Sequence, residues 1–136
     1  MVDVSFSGTI TMSSNQQFDH EKLDVYQLAL SFVSWLTDLI AEVRESKSPQ
    51  LREIIDQVDR ASTSIVLNIA EGNGRRSTKQ RARFFDDARG SATESAACLD
   101  VLIAKKAATR ERVSEGKQTL LRVVAMLTKL VERFDK

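Results

Sequence analysis

The sequence predicts an all-α protein, an up-and-down antiparallel four-helix bundle, and three observations carry that prediction. Five glycines and one proline punctuate 136 residues and aromatics make up only 6% of them, which disfavours a sandwich or barrel with its many turns. Four long segments repeat apolar residues at three-and-four spacing, the period of a helix with one buried face. Capping signals open three of those segments. The length suits one domain with its own core, and 42% hydrophobic with 29% charged residues is the balance of a globular chain.

The elements follow in order. Residues 2–12 alternate (Val2, Val4, Phe6, then Ile10 and Met12), which is the period of a strand. A lone strand has no sheet to join, so residues 1–17 are expected to be a flexible N-terminal extension, with Met12 a candidate natural start. Residues 18–136 then form the bundle domain. Asp24 is expected to cap the first helix, with Gln27 completing a capping box and Leu23 stapled to Leu28. Apolar positions 25, 28, 29, 32, 33, 36, 39, 40 and 43 carry it to about Glu45.

Ser48-Pro49 opens the second helix as cap and first helical residue. Its core stripe is Leu51, Ile54, Ile55, Val58, Ser62, Ile65 and Ile69, and it ends at Gly72-Asn73-Gly74. Ser77 and Gln80 form a capping box for a third helix reaching about Lys106, with Phe84, Phe85, Ala88, Ser91, Ala92, Ser95, Leu99, Leu102 and Ile103 inward. A turn near Thr109 leads to a fourth helix with Val113, Leu120, Val124, Leu127, Val131 and Phe134 inward. Short connections make sequential helices antiparallel neighbours.

Several function classes fall away. A single cysteine, Cys98, and a single histidine, His20, exclude a disulfide framework, a zinc cluster and a di-iron bundle. No Ser-His-Asp arrangement, P-loop or G-x-G-x-x-G is present, and Gly72-Asn73-Gly74 follows a helix rather than a strand. His20, ahead of the first helix, is expected to be solvated. Cys98, in a run of alanines, reads as a small core residue rather than a nucleophile. Hence neither an enzyme nor a metal or cofactor site is expected. No apolar run reaches the roughly 18 residues of a membrane span and no signal-peptide pattern opens the chain, so the cytoplasm is the expected compartment.

The net charge of +1 conceals an asymmetry: residues 1–59 carry a net −6 and residues 60–136 a net +7. The densest cluster is Arg75, Arg76, Lys79, Arg81 and Arg83, five cations in nine residues with no acid among them. Cations at a helix N-terminus oppose the macrodipole and favour a nearby anion, of which a nucleic-acid phosphate is the obvious example. The alternative is a solvated basic loop paired with acids such as Asp86 and Asp87. A second basic stripe, Arg122, Lys129, Arg133 and Lys136, lies on the fourth helix.

Two further features stand out. Gln57, Arg60, Ser64, Asn68 and Glu71 fall within an arc of about 80° on the second helix. They are either a solvated face or a buried or interfacial hydrogen-bond network in which Arg60 and Glu71 satisfy the amide and hydroxyl. On the third helix Ala88, Gly90, Ser91, Ala92, Ser95, Ala96 and Ala97 put seven small residues into ten positions. Small residues on more than one face allow more than one close helical neighbour, as an oligomer supplies.

The run Gln57-x-x-Arg60-Ala61-x-x-Ser64-Ile65-x-x-Asn68-Ile69-Ala70-Glu71-Gly72-x-Gly74-Arg75, with Phe84-x-x-x-Ala88-Arg89-Gly90-Ser91-x-x-Glu94, resembles the signature of the 23S rRNA intervening-sequence protein family. Leu23-Asp24-Val25-Tyr26-Gln27-x-Ala29 resembles that family's first-helix opening. The resemblance spans about residues 18–134 and departs after Pro49, where Leu51-Arg52-Glu53-Ile54 replaces the usual aromatic-Gly-Leu element. It implies a bacterial four-helix bundle assembling as a cyclic homopentamer. It also implies that Arg60, Asn68, Glu71, Arg89 and Glu94 hold the fold or the ring together, with Ser64 joining them from the polar stripe. A distant relative, the accessory protein of diversity-generating retroelements, is a basic pentameric barrel that binds nucleic acid and a reverse transcriptase. RNA or DNA, or a protein partner, is thus the expected ligand, with Arg75, Arg76, Lys79, Arg81 and Arg83 as the contact cluster.

Overall fold

Each of the four apolar stripes becomes one helix: α1 (Asp24–Glu45), α2 (Arg52–Gly74), α3 (Thr78–Ala104) and α4 (Arg110–Phe134). The computed structural model describes residues 2–4, 10–12 and 17–135. Each helix packs on its neighbour in sequence, and α4 closes the bundle on α1. Phe32, Leu36 and Leu39 meet Ile65, Ile69, Phe85, Leu99, Leu102, Leu120 and Leu127 in one continuous core. Burying a side chain of this size stabilises the fold by about 1.5–3 kcal/mol.

The helix ends show which local signals win. Ser77 Oγ accepts from the Gln80 N–H at 3.3 Å, and Thr109 Oγ1 accepts from the Arg112 N–H at 3.1 Å. Asp24, in contrast, is the first helical residue rather than the cap. The cap position falls to Leu23, and Asp24 sets its carboxylate in the first turn, where the macrodipole favours an anion. Pro49 begins one 3₁₀ turn (Pro49–Leu51) before α2 proper starts at Arg52. α3 ends two residues before Lys106 in a Schellman arrangement. The Ala107 N–H bonds Leu102 O and the Lys106 N–H bonds Ile103 O, both at 2.9 Å, with Lys106 itself at φ 62°.

On α4, Val113, Leu120 and Leu127 are buried as expected, but the other three expected positions are not. Val123 is fully buried, whereas Val124, Val131 and Phe134 are half-buried. Leu28, Val33, Ile54, Phe84, Ser91 and Ile103 are also half-buried and line the edge of the core. On the α1–α4 seam, Arg112 makes bonds of 2.8 and 3.0 Å to the Glu42 carboxylate and sits 5.3 Å from the Trp35 ring centre. The Arg112 bond holds the Glu42 carboxyl below its ordinary value.

The alternating N-terminal segment finds its sheet in itself. β1 (Val2–Val4) pairs antiparallel with β2 (Ile10–Met12), with Val2 opposite Met12 and Val4 opposite Ile10. The expectation of flexibility concerns, at residues 1, 5–9 and 13–16, positions outside the described residues. A 3₁₀ turn, Asp19–Lys22, then leads into α1 and packs against α2.

Candidate nucleic-acid interface

The basic cluster is shaped by the tight passage from α2 to α3. Gly72, in the last turn of α2, is buried, and a Cβ there would come within 2.9 Å of Phe84 Cβ and 3.1 Å of the Phe85 ring. Only a bare backbone lets the two helices approach so closely. The chain then turns through Arg75–Ser77 and exposes Arg75, Arg76, Lys79 and Arg83 to solvent, with Arg81 half-buried.

These five cations divide into two groups. Arg75 reaches Glu71 at 3.4 Å and lies 4.8 Å from the Phe84 ring centre. Arg81 Nε donates to Arg75 O at 2.6 Å, and its guanidinium lies 5.4 Å from the Phe134 ring centre. Arg133, the neighbour of Phe134 on α4, approaches the same ring at 5.4 Å. Arg75 and Arg81 therefore hold the turn together. Arg76, Lys79 and Arg83 make no ion pair or hydrogen bond among the described residues. Asp86 is committed to Arg89 rather than to this cluster. Of the second basic stripe, Lys136 lies outside the described residues.

The polar stripe of α2 forms a network, with partners other than those the sequence suggested. Ser64 Oγ and Ser91 Oγ meet at 2.9 Å across the α2–α3 seam, and Asn68 Nδ2 donates to Ser64 O at 2.9 Å and Ser64 Oγ at 3.0 Å. Gln57 Nε2 donates to Glu94 Oε2 at 3.1 Å. Glu71 turns outward to Arg75, and Arg89 bonds Asp86 and Thr128 Oγ1. Arg60 is exposed beside an open cleft of about 290 Å³ that Gln57, Ala61, Ser64, Ser91 and Glu94 also line. Leu67, next along this face, is 60% exposed. A Cβ built at Gly90 would meet nothing within 4 Å, so no neighbour among the described residues requires that glycine.

Two further residues complete the inventory. Cys98 is buried, and burial, with Glu94 second, pushes its thiol pKa up, which leaves it inert as a nucleophile. His20 is not solvated as its position suggested. It is half-buried, stacked on Phe18 at 5.7 Å and edge-on to Tyr26 at 4.7 Å. Asn73 Nδ2 donates to Asp19 Oδ2 at 2.8 Å, which ties this aromatic group to the end of α2 that leads into the basic turn. No helix of the described residues is long and apolar enough to cross a membrane.

Comparison with known proteins agrees with the motif resemblance. A family model described as 23S rRNA-intervening sequence protein matches residues 21–129. Among solved structures, the chain is similar to a protein of unknown function from the S23 ribosomal protein family from Bacteroides thetaiotaomicron, determined at 1.70 Å resolution. That similarity has a TM-score of 0.72 at 23% sequence identity, over 79% of this chain and 97% of the other, and it concerns the fold. Among curated proteins, none matches the sequence significantly.

Proposed function

The chain belongs to the 23S rRNA-intervening sequence protein family, and we propose that it acts there as a non-enzymatic, oligomeric, nucleic-acid-associated protein of the cytoplasm. One observation carries the reading: Arg76, Lys79 and Arg83 stand exposed at the start of α3 without an acidic partner among the described residues. A helix N-terminus already carries partial positive charge, so three free cations there make a site that an anion relieves. A polyphosphate backbone supplies such anions in series and releases its condensed counterions on binding.

Self-assembly is the second half of the proposal, and the resemblance gives its number as five. The outer α2–α3 face supports it, because Leu67 is exposed, Gly90 leaves room for a close approach, and Arg60 and Glu94 offer opposite charges. A ring multiplies the cation cluster into a multivalent surface. A second reading is a structural homopentamer that binds a protein partner, such as a reverse transcriptase, without touching nucleic acid. Leu121, 63% exposed on α4, favours that reading.

The test is titration of labelled structured RNA and duplex DNA at low and physiological salt, with the parent and a variant carrying Arg76→Glu, Lys79→Glu and Arg83→Glu. The parent should bind both with little sequence preference and the variant should lose binding. No binding by the parent at low salt, with assembly intact, would favour the protein-partner reading.

A further inference from the structure

We propose that the α2–α3 end of the bundle takes an unpaired RNA strand, with one base stacked on Phe18 and the adjoining phosphates on Arg76, Lys79 and Arg83. This rests on the nucleic-acid reading above and narrows its ligand from any polyanion to a single strand. In sequence the basic cluster has no aromatic residue among its cations, and 56 residues separate Phe18 from Arg75. The fold removes that separation. The Asn73–Asp19 bond of 2.8 Å fixes the turn carrying Phe18 against the last turn of α2. Arg76 lies three residues beyond Asn73, at most about 11 Å away between Cα atoms.

Phe18 is held in place while its ring stays open. Its N–H donates to Glu21 Oε2 at 3.1 Å and its carbonyl accepts from the Glu21 N–H at 3.0 Å. Its ring stacks on His20 with an interplanar angle of 18°, and His20 in turn rests on Tyr26. The residue nevertheless remains 72% exposed, an aromatic side chain held in position rather than buried. A single exposed apolar residue is ordinary. A pre-positioned aromatic at the same end of the bundle as three cations, unpaired among the described residues, is the combination that single-strand binding uses. The neighbouring Asp19 and Glu21 carboxylates keep their charge, Asp19 bonded to Asn73 and Glu21 to the Phe18 backbone, so the phosphates are drawn to the cations rather than to this turn.

The geometry favours unpaired over duplex ligand, because bases inside a helix are stacked on each other and cannot reach an aromatic ring. It favours RNA because loops and bulges keep bases permanently unpaired in folded RNA. Stacking on one ring tolerates any base, so little sequence preference is expected.

The experiment measures fluorescence anisotropy of an unstructured 12-nucleotide CA-repeat RNA and a blunt RNA duplex of equal length, at low salt, with the full chain. Phe18→Ala should weaken the single strand by roughly 5- to 150-fold, the loss of one stacked base, and leave duplex affinity within about twofold. Phe18→Trp should restore single-strand binding. A thermal melt of each variant confirms that the exposed substitution leaves the bundle folded. Unchanged single-strand affinity in Phe18→Ala, or equal loss on both RNAs, overturns this inference and leaves the cation cluster standing. Failure of the parent to bind either RNA removes the nucleic-acid reading itself.

Discussion

Ser64 of α2 and Ser91 of α3 meet hydroxyl to hydroxyl at 2.9 Å, and Asn68 donates into the same pair. This bond fastens the seam whose outward side carries Leu67, Arg60, Gly90 and Glu94. Ser91→Ala leaves Ser64 with Asn68 alone, and the expected cost is about 0.5–1.5 kcal/mol. Urea melts measure it; a midpoint identical to the parent's would mean that water replaces the bond at no cost.

Gly90 separates folding from assembly. An exposed glycine inside a helix costs about 0.5–1 kcal/mol relative to alanine, and no contact among the described residues offsets it. Gly90→Ala should therefore stabilise the isolated protomer, while its added methyl group pushes back any neighbour packed on α3. Sedimentation across a concentration series should show a weaker assembly. A higher melting temperature with unaltered sedimentation would take the interface off this part of α3.

Gly116 of α4 lies against the ring of Trp35, where an added Cβ would come within 2.3 Å of a ring carbon. Gly116→Ala must displace that ring, and overpacking of this kind costs about 1–3 kcal/mol. Trp35 is the only tryptophan in the chain, so its fluorescence reports the displacement directly. An unshifted emission spectrum and an unchanged melting curve would contradict the close packing of α1 on α4.

Acid should loosen the same seam. Arg112 lowers the Glu42 pKa in the folded state, so the pair's contribution is present above the unfolded carboxyl value and is lost as pH falls through the lowered one. Stability should decline below about pH 4.5, and Glu42→Gln should flatten that decline. Identical pH profiles for parent and variant would show the pair to be inert.

The cation cluster and the cap at Ser77 were legible in sequence because they depend on neighbours a few residues away, and a turn near Thr109 was legible without its cap. What depended on distant neighbours was not. Val123 and Val124 are both apolar, and only the packing against the other helices decides which is buried. Asn68 turned to Ser64, one turn back on its own helix, rather than to Arg60 or Glu71, and Ser64 found Ser91 because α3 approaches there. The end of α3 was blurred because Lys106, not glycine, takes the left-handed position. His20 read as an isolated residue ahead of the first helix, and no pattern marked Phe18. The bond between Asp19 and Asn73, 54 residues apart, brings them to the basic end.

The salt dependence of binding tests the central claim most directly. For a duplex, each phosphate contact contributes about 0.9 to the slope of log K against log salt. Arg76→Gln, Lys79→Gln and Arg83→Gln together should flatten the slope by roughly 2–3 for each protomer engaged, with the assembly unchanged. A slope equal to the parent's would contradict the account, because those three cations would then touch no phosphate.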